Sequence, residues 1–355
     1  MHRRLAKLRD EMASRDLDSF LVTDRVNVRY LSGFTGSYAV LVVTCNNACL
    51  LTDSRYVEQA SHETYGCTVE QIDLGFVPGV SDLFRRLGSQ VIGFEETALT
   101  YAEWRELDET LDGIELIPVE NLIAKFRLVK DADEIATIRK AVRITDEAFA
   151  HIRGIIRPGM SEREVALELD CFMRRNGAEE VAFETLVAEG ERSALPHAKP
   201  SERRIREQEF VVLDFGARVD SYHADITRTL LLGVPDEKRQ RFYDIVLEAQ
   251  QRAIASIRPG LQGSQVDAVA RDFIAEQGYG EYFGHGLGHG LGLEVHDGRI
   301  LTKKSEIVLR PGMVTTVEPG IYIPGWGGVR IEDDVLITPD GCEVLTRSPR
   351  TLNCQ

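Results

Sequence analysis

The sequence predicts a mixed α/β (α+β) protein of two domains, the second built from a duplicated unit. Helix-like and strand-like periodicities alternate over residues 1–125, and a join falls in IPVENLIAKFRLVKDADEI. Beyond it, the pattern helix, Ile-Arg-Pro-Gly, helix, glycine occurs twice, at 145–177 and 247–278. A chain of 355 residues, 43% hydrophobic, has enough material for two ordinary cores.

In the first domain RRLAKLRDEMASRDL reads as an amphipathic helix, while SFLVTD, AVLVVT and ACLLTD read as short buried strands between polar or glycine-containing turns. The second domain, 131–355, opens at Asp131, an N-cap with Glu134 three residues later for a long helix running toward Ile156. Pro-Gly alone is a common helix stop, so the shared order of elements is the stronger sign of duplication. Each helix pair is followed by acid-bearing strands, EFVVLDFGARVDSYHADITRTLLLG and then MVTTVEPGIYIPGWGGVRIEDDVLIT.

Both strand segments read as hairpins. A turn centred between Val219 and Asp220 sets Asp214 directly opposite Asp225, and a turn centred on Gly325 sets Glu318 directly opposite Glu332. Opposed residues have Cβ atoms about 4.5 to 5.5 Å apart, where like charges repel. VVLDFG, VTTVEPG and VRIEDDVLIT are apolar enough to be core, and a buried unpaired carboxylate is costly. Arg228 or Arg330 could neutralise one hairpin. Two such hairpins in one duplicated domain point instead to divalent metal, because carboxylates plus imidazole suit manganese, cobalt or zinc. Four carboxylates can bridge two ions about 3.5 to 4 Å apart.

Between the hairpins lies GHGLGHGLGLEVHD, residues 284–297. Each of its five glycines up to Gly292 would cost about 1 kcal/mol against alanine in a helix, so the stretch is extended. Its glycine spacing does not match a phosphate-binding loop. In extended chain His285 and His289 point the same way, and the glycines admit another backbone or a ligand.

The net charge of −15 opposes nucleic-acid phosphates and anionic membranes. No signal peptide or membrane span is visible, which makes the cytosol the expected compartment. Cys45, Cys49, Cys67, Cys171, Cys342 and Cys354 form no paired CxxC units and read as reduced thiols; Cys45 and Cys49 lack a second pair to complete a metal site.

LDFG with ADITRT, then GHGLGHGLGLEVHD, TVEPG and RIEDD, resembles the pita-bread metallopeptidases, which include methionine aminopeptidase, aminopeptidase P and prolidase. NVRYLSGFTGS and LLTDSRY are similar to the additional N-terminal creatinase/prolidase-like α/β domain of the aminopeptidase P and prolidase branch. The resemblance implies that domain over 1–125, followed by a duplicated pita-bread catalytic domain over 131–355. It sets Asp214, Asp225, His289, Glu318 and Glu332 on the metal-ligand positions of two divalent ions, manganese foremost and cobalt or zinc as alternatives, with Asp225 and Glu332 bridging. His197 in ALPHAKP, His285 and His296 fall on second-shell and substrate-binding positions. Arg330 falls on a basic position beside the last ligand, where a plain counter-ion to Glu332 or Asp333 is the other reading.

Water activated by the ions would be the nucleophile, Glu318 would move its proton, and His296 would donate to the oxyanion of the tetrahedral intermediate. The implied reaction is cleavage on the N-terminal side of proline in dipeptides or short peptides, by a cytoplasmic homodimer. Ser221 stands where glycine is common and His296-Asp297 where His-Glu is frequent, both away from the ligands. The threonines and arginine of ADITRT read as strand residues, with Arg228 solvated or paired. A metal-free creatinase-like C–N hydrolase or a metal-free binding module of the same fold are the alternatives, and the intact donor set argues against both. Dipeptidase and aminopeptidase preference stay open.

Overall fold

The computed structural model describes residues 2–73 and 75–353, so Cys354 lies outside the described residues. The chain divides into two compact units, Met1–Arg127 and Leu128–Gln355.

The first unit contains strands β1 (Ser19–Val22), β2 (Val40–Thr44), β3 (Ala48–Thr52), β4 (Thr68–Gln71), β5 (Val91–Glu95) and β6 (Glu115–Val119) in one sheet of order β4-β3-β2-β1-β5-β6. The segments SFLVTD, AVLVVT and ACLLTD supply β1 to β3, paired antiparallel, while β4, β5 and β6 join in parallel. Helices α1 (His2–Ala13), α2 (Arg25–Ser32), α3 (Val57–Glu63), α4 (Phe76–Leu87), α5 (Tyr101–Thr110) and α6 (Leu122–Arg127) complete the unit. Its core gathers Leu21, Val42, Leu51, Val80, Phe84, Ile92 and Phe94.

At the end of β5 the Glu95 carboxylate is buried against the start of α2, accepting from Thr23 N at 2.8 Å, Asp24 N at 2.9 Å and Asn27 Nδ2 at 2.6 Å. Burial outweighs these bonds and pushes its pKa up to about 7 from 4.5. A raised carboxyl pKa contributes stability that is fully present below the unfolded value and is lost as pH rises through the folded one. Between about pH 4.5 and 7 this loss is on the order of 3 kcal/mol. Calorimetry of wild type and Glu95→Gln across that window reads it directly: the wild-type Tm declines relative to the variant as pH rises, and parallel curves would refute the assignment.

In the second unit α7 (Ala132–Ile155) starts at Asp131 with the anticipated reciprocal cap, Glu134 N to Asp131 Oδ1 and Asp131 N to Glu134 Oε2, both 2.9 Å. After Ile156-Arg157-Pro158-Gly159 comes α8 (Glu162–Arg175). Strands β7 (Glu180–Val181), β8 (Leu186–Glu189), β9 (Phe210–Phe215), β10 (Ala217–Val219), β11 (Tyr222–His223) and β12 (Ile226–Leu231) follow.

The second copy runs α9 (Glu237–Ser256), Ile257-Arg258-Pro259-Gly260, α10 (Gly263–Glu276), then β13 (Val314–Val317), β14 (Gly320–Ile323), β15 (Gly327–Arg330), β16 (Asp333–Thr338) and β17 (Gly341–Val344). Gly159 and Gly260 share a φ of 91°, so the two Pro-Gly turns repeat in backbone conformation as well as in sequence.

Each helix pair covers its own three-stranded sheet, β12-β9-β8 in the first copy and β13-β16-β17 in the second. In one core Ala148, Phe149, Val165 and Leu169 pack with Val211, Leu213 and Ile226. In the other Val246, Ala249, Val266 and Ala270 pack with Val317, Val335 and Ile337. Two helix-on-sheet layers thus carry acid-bearing strands whose inner ends meet. Among the described residues no helix is long and apolar enough to cross a membrane, and Cys45, Cys49, Cys67, Cys171 and Cys342 are free thiols.

Candidate metal centre

The first hairpin departs from the expected register. β9 and β12 pair Asp214 with Thr227, and β10 and β11 pair Val219 with Tyr222. The turn is therefore centred between Asp220 and Ser221, one residue later than expected. Both have positive φ, 47° and 64°, the conformation of a two-residue type I′ turn. Ser221 holds that conformation with its N–H donating to Glu179 Oε1 at 2.9 Å. Moving the centre by one residue shifts the pairing by two, which preserves the face. Asp214 and Asp225 are consequently diagonal neighbours rather than opposed. The second hairpin follows the expected register: Val317 pairs with Asp333 and Gly320 with Arg330, which sets Glu318 against Glu332 between the two ladders.

The glycine ribbon is extended, bridging Gly288 to Leu301 and Gly290 to Thr315. A Cβ on Gly288 would stand 2.0 Å from Thr316 O, and one on Gly290 would stand 2.0 Å from Asp297 O. Close backbone packing requires these glycines. From behind, α10 grips the ribbon: Arg271 donates to Phe283 O at 2.9 Å and His285 O at 2.7 Å, and Leu287 N donates to Asp267 Oδ1 at 3.0 Å.

Asp225, His289 and Glu332 each offer a ligand atom, all within 4.8 Å of one another. His289 Nδ1 faces Gly290 O at 3.1 Å, and a carbonyl only accepts, so Nδ1 carries the proton and Nε2 a free lone pair. That Nε2 lies 3.4 Å from Glu318 Oε1 and 3.6 Å from Asp225 Oδ2. Three acceptors thus face one another. Among the described residues the buried Asp214 Oδ1 and Asp225 Oδ1 have no hydrogen-bond partner.

Burial first, then the Glu332 and Asp214 carboxylates, raise Asp225 well above the ordinary range; burial and then Glu318 and Asp214 do the same to Glu332. Burial also raises Glu318 and depresses His289, His285 and His296, favouring neutral imidazoles. Among the described residues one arginine side chain pairs with this group of two buried carboxylates, Asp225 and Glu332, and two half-buried ones, Asp214 and Glu318. The donor set fits divalent cations, which supply the missing positive charge and accept the free lone pairs.

That arginine is Arg330, and its partner is Asp214, Nη2 to Oδ2 at 2.5 Å, rather than Glu332 or Asp333. Its Nε donates to Thr227 Oγ1 at 2.9 Å and its Nη1 to Tyr322 Oη at 3.0 Å. His285 Nδ1 donates to Gly286 O at 2.8 Å, so the Tyr322 hydroxyl donates to His285 Nε2 across 2.9 Å. Asp214, Arg330, Tyr322 and His285 thus form one chain of polar contacts. Arg228 is buried and paired, not solvated: it holds Asp333 at 2.7 Å, Ser348 O at 2.8 Å and the Glu332 carbonyl.

His197, His285, His289 and His296 line one cavity of about 860 Å³ together with Asp214, Asp225, Glu318, Arg330 and Glu332. The rings of His289 and His296 are 4.3 Å apart. Sequence reasoning missed Tyr322 and Arg299, which line the same cavity. The spacing of Tyr322 from Glu318 already puts it on the acid's side of the strand, whereas Arg299 sits in a loop with no periodic signal.

The geometry gives a carboxylate- and histidine-rich cluster that could hold a metal, contributed by both duplicated α/β halves. A family model described as metallopeptidase family M24 matches residues 136–339, and one described as the creatinase/prolidase N-terminal domain matches residues 4–129. The chain is 40% identical to a Xaa-Pro dipeptidase of Pyrococcus horikoshii over 99% of both chains. A solved Xaa-Pro dipeptidase from Bacillus anthracis superposes with a TM-score of 0.95 at 46% identity, covering 99% of both chains. A solved X-Pro aminopeptidase from Thermotoga maritima gives 0.89 at 40% identity, covering 95% of this chain and 97% of that one. The protein belongs to metallopeptidase family M24, a metal-dependent peptidase with a creatinase-like N-terminal domain.

Proposed function

We propose that the protein is a dinuclear Xaa-Pro peptidase that hydrolyses the bond N-terminal to proline in dipeptides or short peptides. The observation that carries this reading is the convergence of Asp225, His289 and Glu332 within 4.8 Å in a cavity also lined by Asp214 and Glu318. These five residues would hold two divalent ions, with Asp225 and Glu332 at the centre of the donor set. Manganese suits the oxygen-rich set, and cobalt or zinc are the alternatives. When bound, the ions supply Lewis acidity and acidify water.

The chain's own residues divide the remaining work. Glu318, whose proton affinity is raised by burial, takes a proton from the water as the carboxylate and passes it toward the leaving amine. Neutral His296, beside His289, donates to the oxygen that gains charge as the carbonyl is attacked. Arg330 and Tyr322 orient His285 at the cavity wall, and His197 contacts substrate from the loop opposite. Proline is a tertiary amide without an N–H, so its peptide bonds need a dedicated site. The resemblance to prolidase and aminopeptidase P supports this substrate class, and with it a cytoplasmic homodimer, which sedimentation would read as twice the 39.8 kDa chain.

Chelator-stripped protein is expected to lose hydrolysis of Ala-Pro and Ala-Pro-Ala and to regain it with manganese or cobalt, by about 10²-fold or more, while Ala-Ala stays uncleaved. The Ala-Pro to Ala-Pro-Ala ratio separates dipeptidase from aminopeptidase. Failure to cleave either with any of the three metals sinks the reading.

A further inference from the structure

A glutamate in the first turn of a helix ordinarily faces solvent, where it complements the helix dipole. Glu162, which opens α8, is instead 0% exposed. Its Oε1 accepts from Glu189 N at 2.9 Å and Arg192 Nε at 3.1 Å. Its Oε2 accepts from Ser201 N at 2.9 Å, Ser201 Oγ at 2.6 Å and Arg192 Nε at 3.2 Å. One carboxylate thus ties residue 189 to residue 201, with charge-assisted bonds offsetting its desolvation.

The chain between these residues is the loop that carries His197. Arg192 crosses it, donating from Nη2 to Lys199 O at 2.6 Å. At the apex the Pro196 carbonyl accepts from Arg330 Nη1 at 3.4 Å, and His197 lines the metal cavity. The His197 side chain is exposed and makes no hydrogen bond among the described residues, so its place depends on the backbone that presents it.

We infer that Glu162 is a positioning residue for His197: it buckles the ends of the 189–201 loop so that the imidazole meets the substrate in the metal cavity. This inference rests on the peptidase reading above. A buckle that only stabilised the fold would change unfolding without acting through His197, and the two are separable. In Glu162→Gln the carboxamide N–H₂ must face donors in place of an acceptor oxygen, while the volume is kept.

The test compares kcat and KM of manganese-loaded wild type, E162Q, H197A and the double variant on Ala-Pro and Ala-Pro-Ala. Hydrogen exchange over 189–201 in the metal-free proteins accompanies it. E162Q is expected to lower kcat by about tenfold to a hundredfold with KM nearly constant, to speed exchange of the loop amides, and to cost nothing further in the H197A background. Equal losses in both backgrounds, or unchanged exchange, overturn the inference. If E162Q fails to fold, S201A removes one bond of the buckle and carries the same comparison. A wild type that cleaves neither peptide sinks the peptidase reading, while the exchange data still decide whether Glu162 holds the loop.

Discussion

Asp225→Asn is expected to abolish hydrolysis of proline peptides, lowering kcat/KM by about 10³-fold or more, and to raise the Tm of the metal-free protein. The opposite signs have one cause. Asp225 is buried beside Glu332, Asp214 and Asp334, and its Oδ1 has no hydrogen-bond partner among the described residues. Asparagine keeps the shape and removes one charge from a crowded group, which relieves repulsion in the apo chain. The same change removes a charged donor from the centre of the cation site, so affinity and Lewis acidity fall together. Metal analysis after dialysis, calorimetry of the apo protein and hydrolysis of Ala-Pro read the three effects. Retention of both metal content and activity would remove Asp225 from the site.

Arg228→Met carries the largest expected stability effect, a loss of about 3 to 5 kcal/mol. Arg228 is 1% exposed and Asp333 0%, and they meet at 2.7 Å. Removing the guanidinium leaves the Glu332 and Ser348 carbonyls without that donor, with Asp333 keeping Gln250, Thr346 and Arg350. The loss comes chiefly from those buried carbonyls, each costing about 1 to 3 kcal/mol when its donor is removed, because Arg350 Nε still meets Asp333 Oδ2 at 2.6 Å and holds its charge. R228M with Asp333→Leu is expected to lose more, not less, because Gln250, Thr346 and Arg350 then lack their acceptor. Urea unfolding of the two variants decides: if R228M unfolds within about 1 kcal/mol of wild type, the pair is not a structural lynchpin. Since Arg228 holds the Glu332 backbone, R228M also weakens metal retention.

Much of the fold and site was legible where local rules operate. The Asp131 and Glu134 cap, the twin Ile-Arg-Pro-Gly turns and the extended glycine ribbon each depend on residues a few positions apart. The two-residue period of a strand placed Asp214 and Asp225 on one face even though the turn centre was displaced, because a register shift of two preserves the face. Opposition was another matter. Asp220 and Ser221 adopt positive φ against ordinary preference, and the contact of Ser221 with Glu179 helps hold that turn.

Residue type and spacing carry the chemistry of the site: four carboxylates and a histidine, flanked by apolar strand residues and spread over two halves of one domain. The pairings among them follow from long-range packing. Arg330 meets Asp214 and Tyr322, Arg228 meets Asp333, and Glu162 reaches across to residues 189 and 201. Residue type and period specify which side chains are buried and which way they face. Which charge neutralises which depends on distances of a few ångströms between segments up to 116 residues apart, set only when the two halves of the domain pack together.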